Sequence, residues 1–81
     1  MWKETDNQLT RTLTFKNFRE AFTFMTEIAF IAESLNHHPS WSNTFNEVSF
    51  TLSTHDAGDK VTQKDHDLAA AIDQTASRYG V

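Results

Sequence analysis

Apolar and polar residues alternate along two stretches of the chain, which is the pattern of β-strands with one buried face. In residues 9–15 the apolar positions share one face and threonines lie on the other, and residues 46–54 repeat this period. The positions predicted to face inward are Leu9, Leu13, Phe15, Val48, Phe50 and Leu52. Residues 2–4 predict a short strand that pairs through a polar turn, and residues 39–43 predict a further short extended piece.

Residues 17–35 show the spacing of an amphipathic helix. Asn17 and Glu20 have the spacing of a capping box at the start of this helix. The apolar stripe that we predict to be the buried face consists of Phe18, Ala21, Phe22, Met25, Ile28, Ala29, Ala32 and Leu35. Further apolar residues lie outside this stripe and favour contact with a partner helix. They are Phe24, Phe30 and Ile31.

The remaining pattern completes a mixed fold. The first helix must end near Asn36 or His37, because backbone that precedes a proline disfavours the helical region and Pro39 follows shortly. A second helix is predicted to begin at Thr62, and its inner stripe is Leu68, Ala69, Ile72 and Ala76. The predicted order is β-β-α-β-(β)-α, an α+β fold in which helices cover one face of an antiparallel sheet. We expect residues 1–81 to form a single domain.

Composition restricts the class of protein. The chain has no Cys, so disulfides and thiolate chemistry are excluded. The 7 basic and 11 acidic residues give a net charge of −4, which argues against general binding to nucleic acid or anionic membranes. No apolar run approaches the roughly 20 residues that span a bilayer. The first residues lack the apolar stretch of a signal peptide, so we expect a cytoplasmic protein.

Three of the 4 histidines lie where regular elements are predicted to end. His37 and His38 follow the long helix, and His55 follows a strand. Imidazole is the side chain best suited to transfer protons near neutral pH, and element ends are where a scaffold presents functional groups. Two alternatives remain open. His37 could simply cap the helix carbonyls, or the three histidines could hold zinc, although adjacent histidines chelate one ion poorly.

Asp65 also has two interpretations. A carboxylate in the first turn of a helix interacts favourably with the helix dipole and caps the helix. Asp65 also shares the inward face with Leu68 and Ile72, so its carboxylate would point toward the sheet and could orient an imidazole. The chain contains neither a glycine-rich phosphate loop nor a nucleophile elbow. The histidines are therefore the main candidates for chemistry.

Taken in order, these residues resemble the signature of the pterin-4a-carbinolamine dehydratases, a family also known as dimerisation cofactors of a homeodomain transcription factor. The resemblance extends from Trp2 to about Ile72. It includes five separated positions that agree in residue type and spacing. The matching pattern is Glu33-x3-His37-His38-Pro39-x5-Phe45-x9-His55-x9-Asp65.

The resemblance implies an activity and an assembly. The activity is dehydration of a 4a-hydroxytetrahydropterin to the quinonoid dihydropterin in tetrahydrobiopterin recycling, with no metal or organic cofactor and no nucleic-acid or membrane partner. His37 and His55 resemble the acid/base pair, His38 holds the ring, and Asp65 supports the cluster. The family forms homodimers or homotetramers. The substrate-binding positions implied are Asn36, His37, His38, Ser53, Thr54, His55 and Asp56.

Three features depart from the family pattern. The customary N-terminal helix is missing before Trp2, Phe45 stands where Tyr is common, and the loop at residues 58–61 is longer and more polar than usual. Trp41 is expected to pack near the site, and packing in the core explains this residue equally well. Two alternative functions remain: a non-catalytic oligomeric binding module that acts as a transcriptional coactivator, and a dehydratase-like protein of another pterin pathway.

Overall fold

The computed structural model describes residues 1–81 as a four-stranded antiparallel sheet with two α-helices packed on one face. The strands lie in the order β1-β2-β4-β3, so both central strands are the long ones predicted from alternation. A single 3-10 turn, His55–Ala57, follows β4. The elements are β1 (Lys3–Thr5), β2 (Gln8–Thr14), α1 (Phe18–Leu35), β3 (Ser40–Thr44), β4 (Glu47–Leu52) and α2 (Gln63–Ser77). The predicted α+β fold is confirmed.

The inner face of the sheet contains the apolar positions that the alternation selects. Leu13 pairs with Val48 and Leu9 pairs with Leu52, which places these side chains in adjacent rows on one face. All six strand positions predicted to face inward are buried, as are the four predicted for α2. The outer face of the sheet has hydroxyl side chains, so the core lies between the sheet and the two helices.

The buried face of α1 differs from the predicted stripe. Phe24 is completely buried, whereas Phe18, Phe22 and Leu35 are 49%, 55% and 44% exposed. The ring of Phe24 lies 4.7 Å from that of Phe15 and also contacts Phe50 and Tyr79 edge-on. Apolar residues occur on both flanks of the face that contains Ala21, Ile28 and Ala32. The spacing of apolar residues therefore did not determine how the helix is rotated about its axis. Contacts with the sheet and the C-terminal segment select the side with Phe24. The buried residues of α1 are Ala21, Phe24, Ile28 and Ala32.

The side of α1 that turns away from the core has an apolar groove of about 280 Å³, which we call the α1 groove. Phe30 is 74% exposed. Trp41 packs against Phe50 and lines this groove. The lining residues are Phe22, Met25, Thr26, Ala29, Phe30 and Trp41. No helix of the chain combines the length and apolar character needed to cross a membrane.

Candidate active site

A polar cavity of about 210 Å³ lies where α1 ends, β4 ends and α2 begins. No hydrophobic side chain lines this cavity. It brings together all seven residues that the family resemblance assigns to substrate binding and adds one lysine. The lining residues are Asn36, His37, His38, Ser53, Thr54, His55, Asp56 and Lys64.

The end of α1 places the adjacent histidines at the cavity. Asn36 has left-handed backbone with φ 53°, and its amide donates to the carbonyl oxygens of Ala32 and Glu33. The His37 amide then donates to Ala32 O at 3.1 Å, which closes the last turn. Asn tolerates this conformation better than most residues because its short side chain can bond locally. The chain therefore leaves the helix abruptly and turns through Pro39 into β3.

His37 contacts a buried carboxylate. Its Nε2 lies 2.6 Å from Asp65 Oδ1, and its side chain is only 11% exposed. Asp65 is fully buried, and its Oδ2 accepts hydrogen bonds from Thr62 N at 2.9 Å and Thr54 Oγ1 at 2.8 Å. Thr54 Oγ1 also lies 2.6 Å from Thr62 Oγ1. Asp65 therefore caps α2 and contacts His37 at once, so both interpretations of this residue hold together.

The environment of Asp65 keeps its carboxylate ionised. Burial alone would raise its pKa, but the hydrogen bonds from His37, the Thr62 backbone and Thr54 outweigh burial and lower the pKa below its ordinary value. An ionised carboxylate can only accept hydrogen bonds, so His37 Nε2 must carry the proton in this contact. In neutral imidazole the other nitrogen, Nδ1, is then unprotonated and can accept a proton.

His38 and His55 have more open environments. His38 Nε2 lies 2.9 Å from Glu33 Oε1, and both side chains are mainly exposed. His55 is 92% exposed, and its Nδ1 lies 3.0 Å from Asp59 Oδ1. The hydrogen bond to Asp59 is the main cause that raises the pKa of His55, with further contributions from the charges of Asp59 and Asp56. The three imidazoles therefore have three distinct partners.

Three polar residues at the site were not among those predicted from the sequence. Lys64 lines the cavity from the first turn of α2, one position before Asp65. Asp59 contacts His55 from the polar loop at residues 58–61, and Thr62 contacts both Thr54 and Asp65. The position of Lys64 beside a site carboxylate was a usable signal, whereas the contact of Asp59 depends on how the loop turns back.

Other predicted features fall outside the cavity. Asp65 is buried beneath it and contacts its lining through His37 and Thr54. Phe45 lies in the turn between β3 and β4, where it is 64% exposed. No group of three or more His, Cys, Asp or Glu side chains is arranged to hold a metal ion. The cavity is thus a site of hydrogen-bonding groups and imidazoles.

Comparison with known sequences gives one family. The sequence model described as "Pterin 4 alpha carbinolamine dehydratase" matches residues 1–75. A provisionally named pterin-4-alpha-carbinolamine dehydratase of Rhizobium meliloti is 56% identical over 73 residues, covering 90% of this chain and 69% of that protein. A relative with the same provisional name from Afipia carboxidovorans is 48% identical over 82 residues, covering 99% of this chain and 81% of that protein.

Solved structures have the same fold. A protein of Brucella melitensis described as a transcriptional coactivator/pterin dehydratase superposes with a TM-score of 0.87 at 40% identity, covering 93% of this chain and 81% of that one. A pterin dehydratase-like protein described as a RuBisCO assembly factor in the alpha-carboxysome superposes with a TM-score of 0.76 at 18% identity, covering 94% and 87%. At 18% identity, the similarity to this second structure shows a shared fold and nothing about function.

Proposed function

The chain belongs to the pterin 4 alpha carbinolamine dehydratase family, and we propose on that premise that it dehydrates a 4a-hydroxytetrahydropterin to the quinonoid dihydropterin. The observation that carries this proposal is the polar cavity on which His37, His38 and His55 converge. Its volume of about 210 Å³ is below the roughly 300–1,000 Å³ of pockets for drug-sized ligands, which suits one small heterocycle.

His37 acts as the general base. Because the buried Asp65 carboxylate holds its Nε2–H, the free Nδ1 accepts the proton from N5 of the pterin ring. Asp65 also stabilises the imidazolium that forms, since an ionised carboxylate beside a protonated imidazole lowers the free energy of the charged pair. Asp65 thus acts through His37 rather than on the substrate.

His55 acts as the general acid. Its raised pKa increases the fraction of protonated imidazole near neutral pH, and that imidazolium donates a proton to the 4a-hydroxyl. The C4a–O bond breaks and water leaves, while the electron pair of the N5–H bond forms the C4a=N5 double bond. One proton passes from His55 to the departing water and one passes from N5 to His37, so the reaction balances without a co-reactant.

The other lining residues bind and orient the ring. His38 is held by Glu33 at the rim, and Asn36, Ser53 and Asp56 add hydrogen-bonding groups to the same cavity. A pterin presents both donors and acceptors along its edges, so a wall made only of polar side chains suits it. We assign these residues to substrate binding rather than to proton transfer.

A direct dehydration assay tests the function. Freshly generated 4a-hydroxytetrahydropterin is mixed with the protein, and formation of quinonoid dihydropterin is followed by absorbance. We expect a rate above spontaneous dehydration that increases in proportion to protein concentration. The His37→Ala/His55→Ala double variant serves as the inactive control. A wild-type rate equal to the rate without protein would rule out the proposal.

The physiological setting is part of the proposal. We place the reaction in tetrahydrobiopterin recycling in the cytoplasm, where it would follow hydroxylation of an aromatic amino acid. Dehydration of another pterin is the alternative, and parallel assays with 4a-hydroxy derivatives that differ in the C6 side chain separate the two. Equal rates for all derivatives would contradict a site specialised for biopterin.

The α1 groove favours a second candidate function. Exposed apolar side chains on one helix supply a surface for self-association or for a partner protein, and the Brucella melitensis relative is described as a coactivator as well as a dehydratase. We propose that the chain forms a homodimer or homotetramer through this groove. Wild-type protein that assembles but does not accelerate dehydration would favour the non-catalytic binding module over the dehydratase.

A further inference from the structure

The loop that follows β4 gives His55 a carboxylate partner outside the residues of the cavity wall. We infer that Asp59 is a positioning residue, which holds His55 through Nδ1 so that Nε2 is the nitrogen that reaches the substrate. The inference rests on the proposed function, because it assigns the orientation of the proposed general acid. Asp59 lies in the polar loop between the 3-10 turn and α2.

The backbone of this loop is built to turn Asp59 back toward His55. Gly58 and Asp59 both have left-handed backbone, with φ 83° and 60°. The Gly58 amide donates to His55 O at 3.0 Å, and the Asp59 amide donates to Thr54 O at 3.1 Å. Thr54 N also donates to Lys60 O at 2.8 Å, which closes the loop at its base. Asp59 follows His55 by four positions, and these hydrogen bonds fold the loop so that the two side chains are in contact.

The contact with Asp59 determines which nitrogen of His55 is available to donate a proton to the substrate. The Asp59 carboxylate only accepts hydrogen bonds, so Nδ1 of His55 keeps a proton whether the ring is neutral or charged. Nε2 therefore carries the proton that is donated and is the atom that loses it. His37 is held in the opposite sense, through Nε2. The two rings thus leave different nitrogens free of a carboxylate contact, Nδ1 in His37 and Nε2 in His55.

The hydrogen bond to Asp59 and the charges of the nearby carboxylates, Asp59 and Asp56, raise the pKa of His55, whereas desolvation lowers it. The other titratable groups that line the cavity with His55 are His37, His38 and Lys64. His55 and Asp59 are both largely exposed, so salt screens the charge of the pair. The hydrogen bond from Nδ1 depends on contact rather than on long-range charge, so the orientation persists when the charge effect is screened.

Two variants of Asp59 separate charge from contact. Asp59→Gly removes the side chain, and glycine accepts the left-handed backbone without strain. Asp59→Asn keeps an acceptor oxygen but removes the charge. Glu47→Gln is the matched control, because it removes an exposed carboxylate at the opposite end of β4. Nitrogen-15 NMR of the imidazoles reports both the pKa of His55 and the nitrogen that carries the proton.

We expect the neutral His55 ring to carry its proton on Nδ1 in the wild type and in Asp59→Asn, but to lose this preference in Asp59→Gly. The pH at which kcat declines should shift downward in both variants. At a pH above the pKa of His55, kcat should fall by up to about tenfold for each unit of pKa lost, with KM nearly unchanged. Glu47→Gln should match the wild type in all readouts.

The outcomes that overturn the inference differ from those that overturn the function. An active Asp59→Gly variant with the wild-type proton position and pH profile would reject positioning by Asp59 and leave the dehydratase proposal intact. Wild-type protein without dehydratase activity would reject the function and with it the catalytic part of the inference. The NMR spectra would still decide whether Asp59 holds His55 through Nδ1.

Discussion

His37 Nε2 lies 2.6 Å from Asp65 Oδ1 across 28 positions of sequence. The contact joins the residue that follows α1 to the first turn of α2, so it forms only when both helices pack on the sheet. Asp65 is satisfied by two further hydrogen bonds, to Thr54 and Thr62. This arrangement couples the folding of three segments to the orientation of one imidazole, and the following predictions test its consequences.

Replacing the proposed acid or base should remove most of the activity. His37→Ala or His55→Ala should lower kcat by about 10²–10⁴-fold, the range typical for loss of a general acid or base. His66→Ala is the matched control, because this histidine lies on the exposed side of α2 and does not line the cavity. Steady-state dehydration kinetics measure both effects. Turnover near the wild-type value in the His37/His55 double variant would show that the mechanism is wrong.

His38 should affect binding more than turnover. His38→Ala removes a polar contact at the cavity rim and its hydrogen bond to Glu33, while His37 and His55 keep their own partners. We expect KM to rise by about tenfold, which corresponds to the roughly 1.4 kcal/mol expected of one hydrogen bond, with kcat changed much less. The separate kcat and KM values decide the point. A fall in kcat as large as that of His37→Ala would instead place His38 in proton transfer.

Asp65 should matter for stability as well as for catalysis. Asp65→Asn places an amide where three hydrogen-bond donors require a carboxylate, and each buried donor left without an acceptor costs about 1–3 kcal/mol. Urea unfolding measures this loss. Asp67→Asn, an exposed neighbour in the same helix, should change the free energy of unfolding by less than about 0.5 kcal/mol. Equal effects of the two substitutions would contradict the role of the buried carboxylate.

The same carboxylate predicts how stability depends on pH. The pKa of Asp65 in the folded protein lies below its ordinary value of 3.8. The stabilising contribution is therefore fully present above that pH and is lost as the pH falls through the folded-state pKa. Urea midpoints from pH 6 down to about pH 2 should decline in the wild type and decline less in Asp65→Asn. Parallel declines would show that other carboxylates dominate acid unfolding.

Activity should not depend on a metal ion. The adjacent histidines lack chelating spacing, and each imidazole contacts a carboxylate instead. We expect full dehydratase activity after exhaustive treatment with a chelator, with added Zn²⁺ giving no increase. Elemental analysis of the same sample provides the control. Stoichiometric zinc whose removal abolishes activity would refute the proton-transfer mechanism without a metal.

Self-association should depend on the α1 groove. Apolar surface left in water costs about 25 cal/mol per Å², so pairing of two grooves stabilises an oligomer. Phe22→Asp with Phe30→Asp should shift the protein toward monomer in light scattering at micromolar concentration. Phe45→Asp is the control, because this exposed phenylalanine lies in the turn between β3 and β4 and does not line the groove. A wild-type monomer across that concentration range would reject the proposal.

Phe24 belongs to the core and does not line the α1 groove. Its ring is completely buried against Phe15, Phe50 and Tyr79, so an aspartate there would unfold the protein rather than dissociate an oligomer. Circular dichroism of Phe24→Asp should show loss of helix, whereas the Phe22/Phe30 variant should keep the wild-type spectrum. The comparison separates loss of the core from loss of the interface.

The sequence by itself determined the order of the elements and the inward faces of the strands. Strand periodicity alternates strictly, so Val48, Phe50 and Leu52 can share only one face. Pro39 predicted the end of α1 to within one residue of its position in the structure. The positions of the three histidines at element ends followed directly, because those ends were visible in the pattern.

Only the tertiary structure decided the rotation of α1 and the partners of the histidines. A helix with apolar residues on both flanks of its stripe can bury either flank. In α1 the contacts of Phe24 with Phe15 and Phe50 determine which flank is buried. The contacts of His37 with Asp65 and of His55 with Asp59 depend on packing of α2 and on left-handed turns in a loop. Periodicity describes one element at a time, whereas these contacts depend on how separate elements meet.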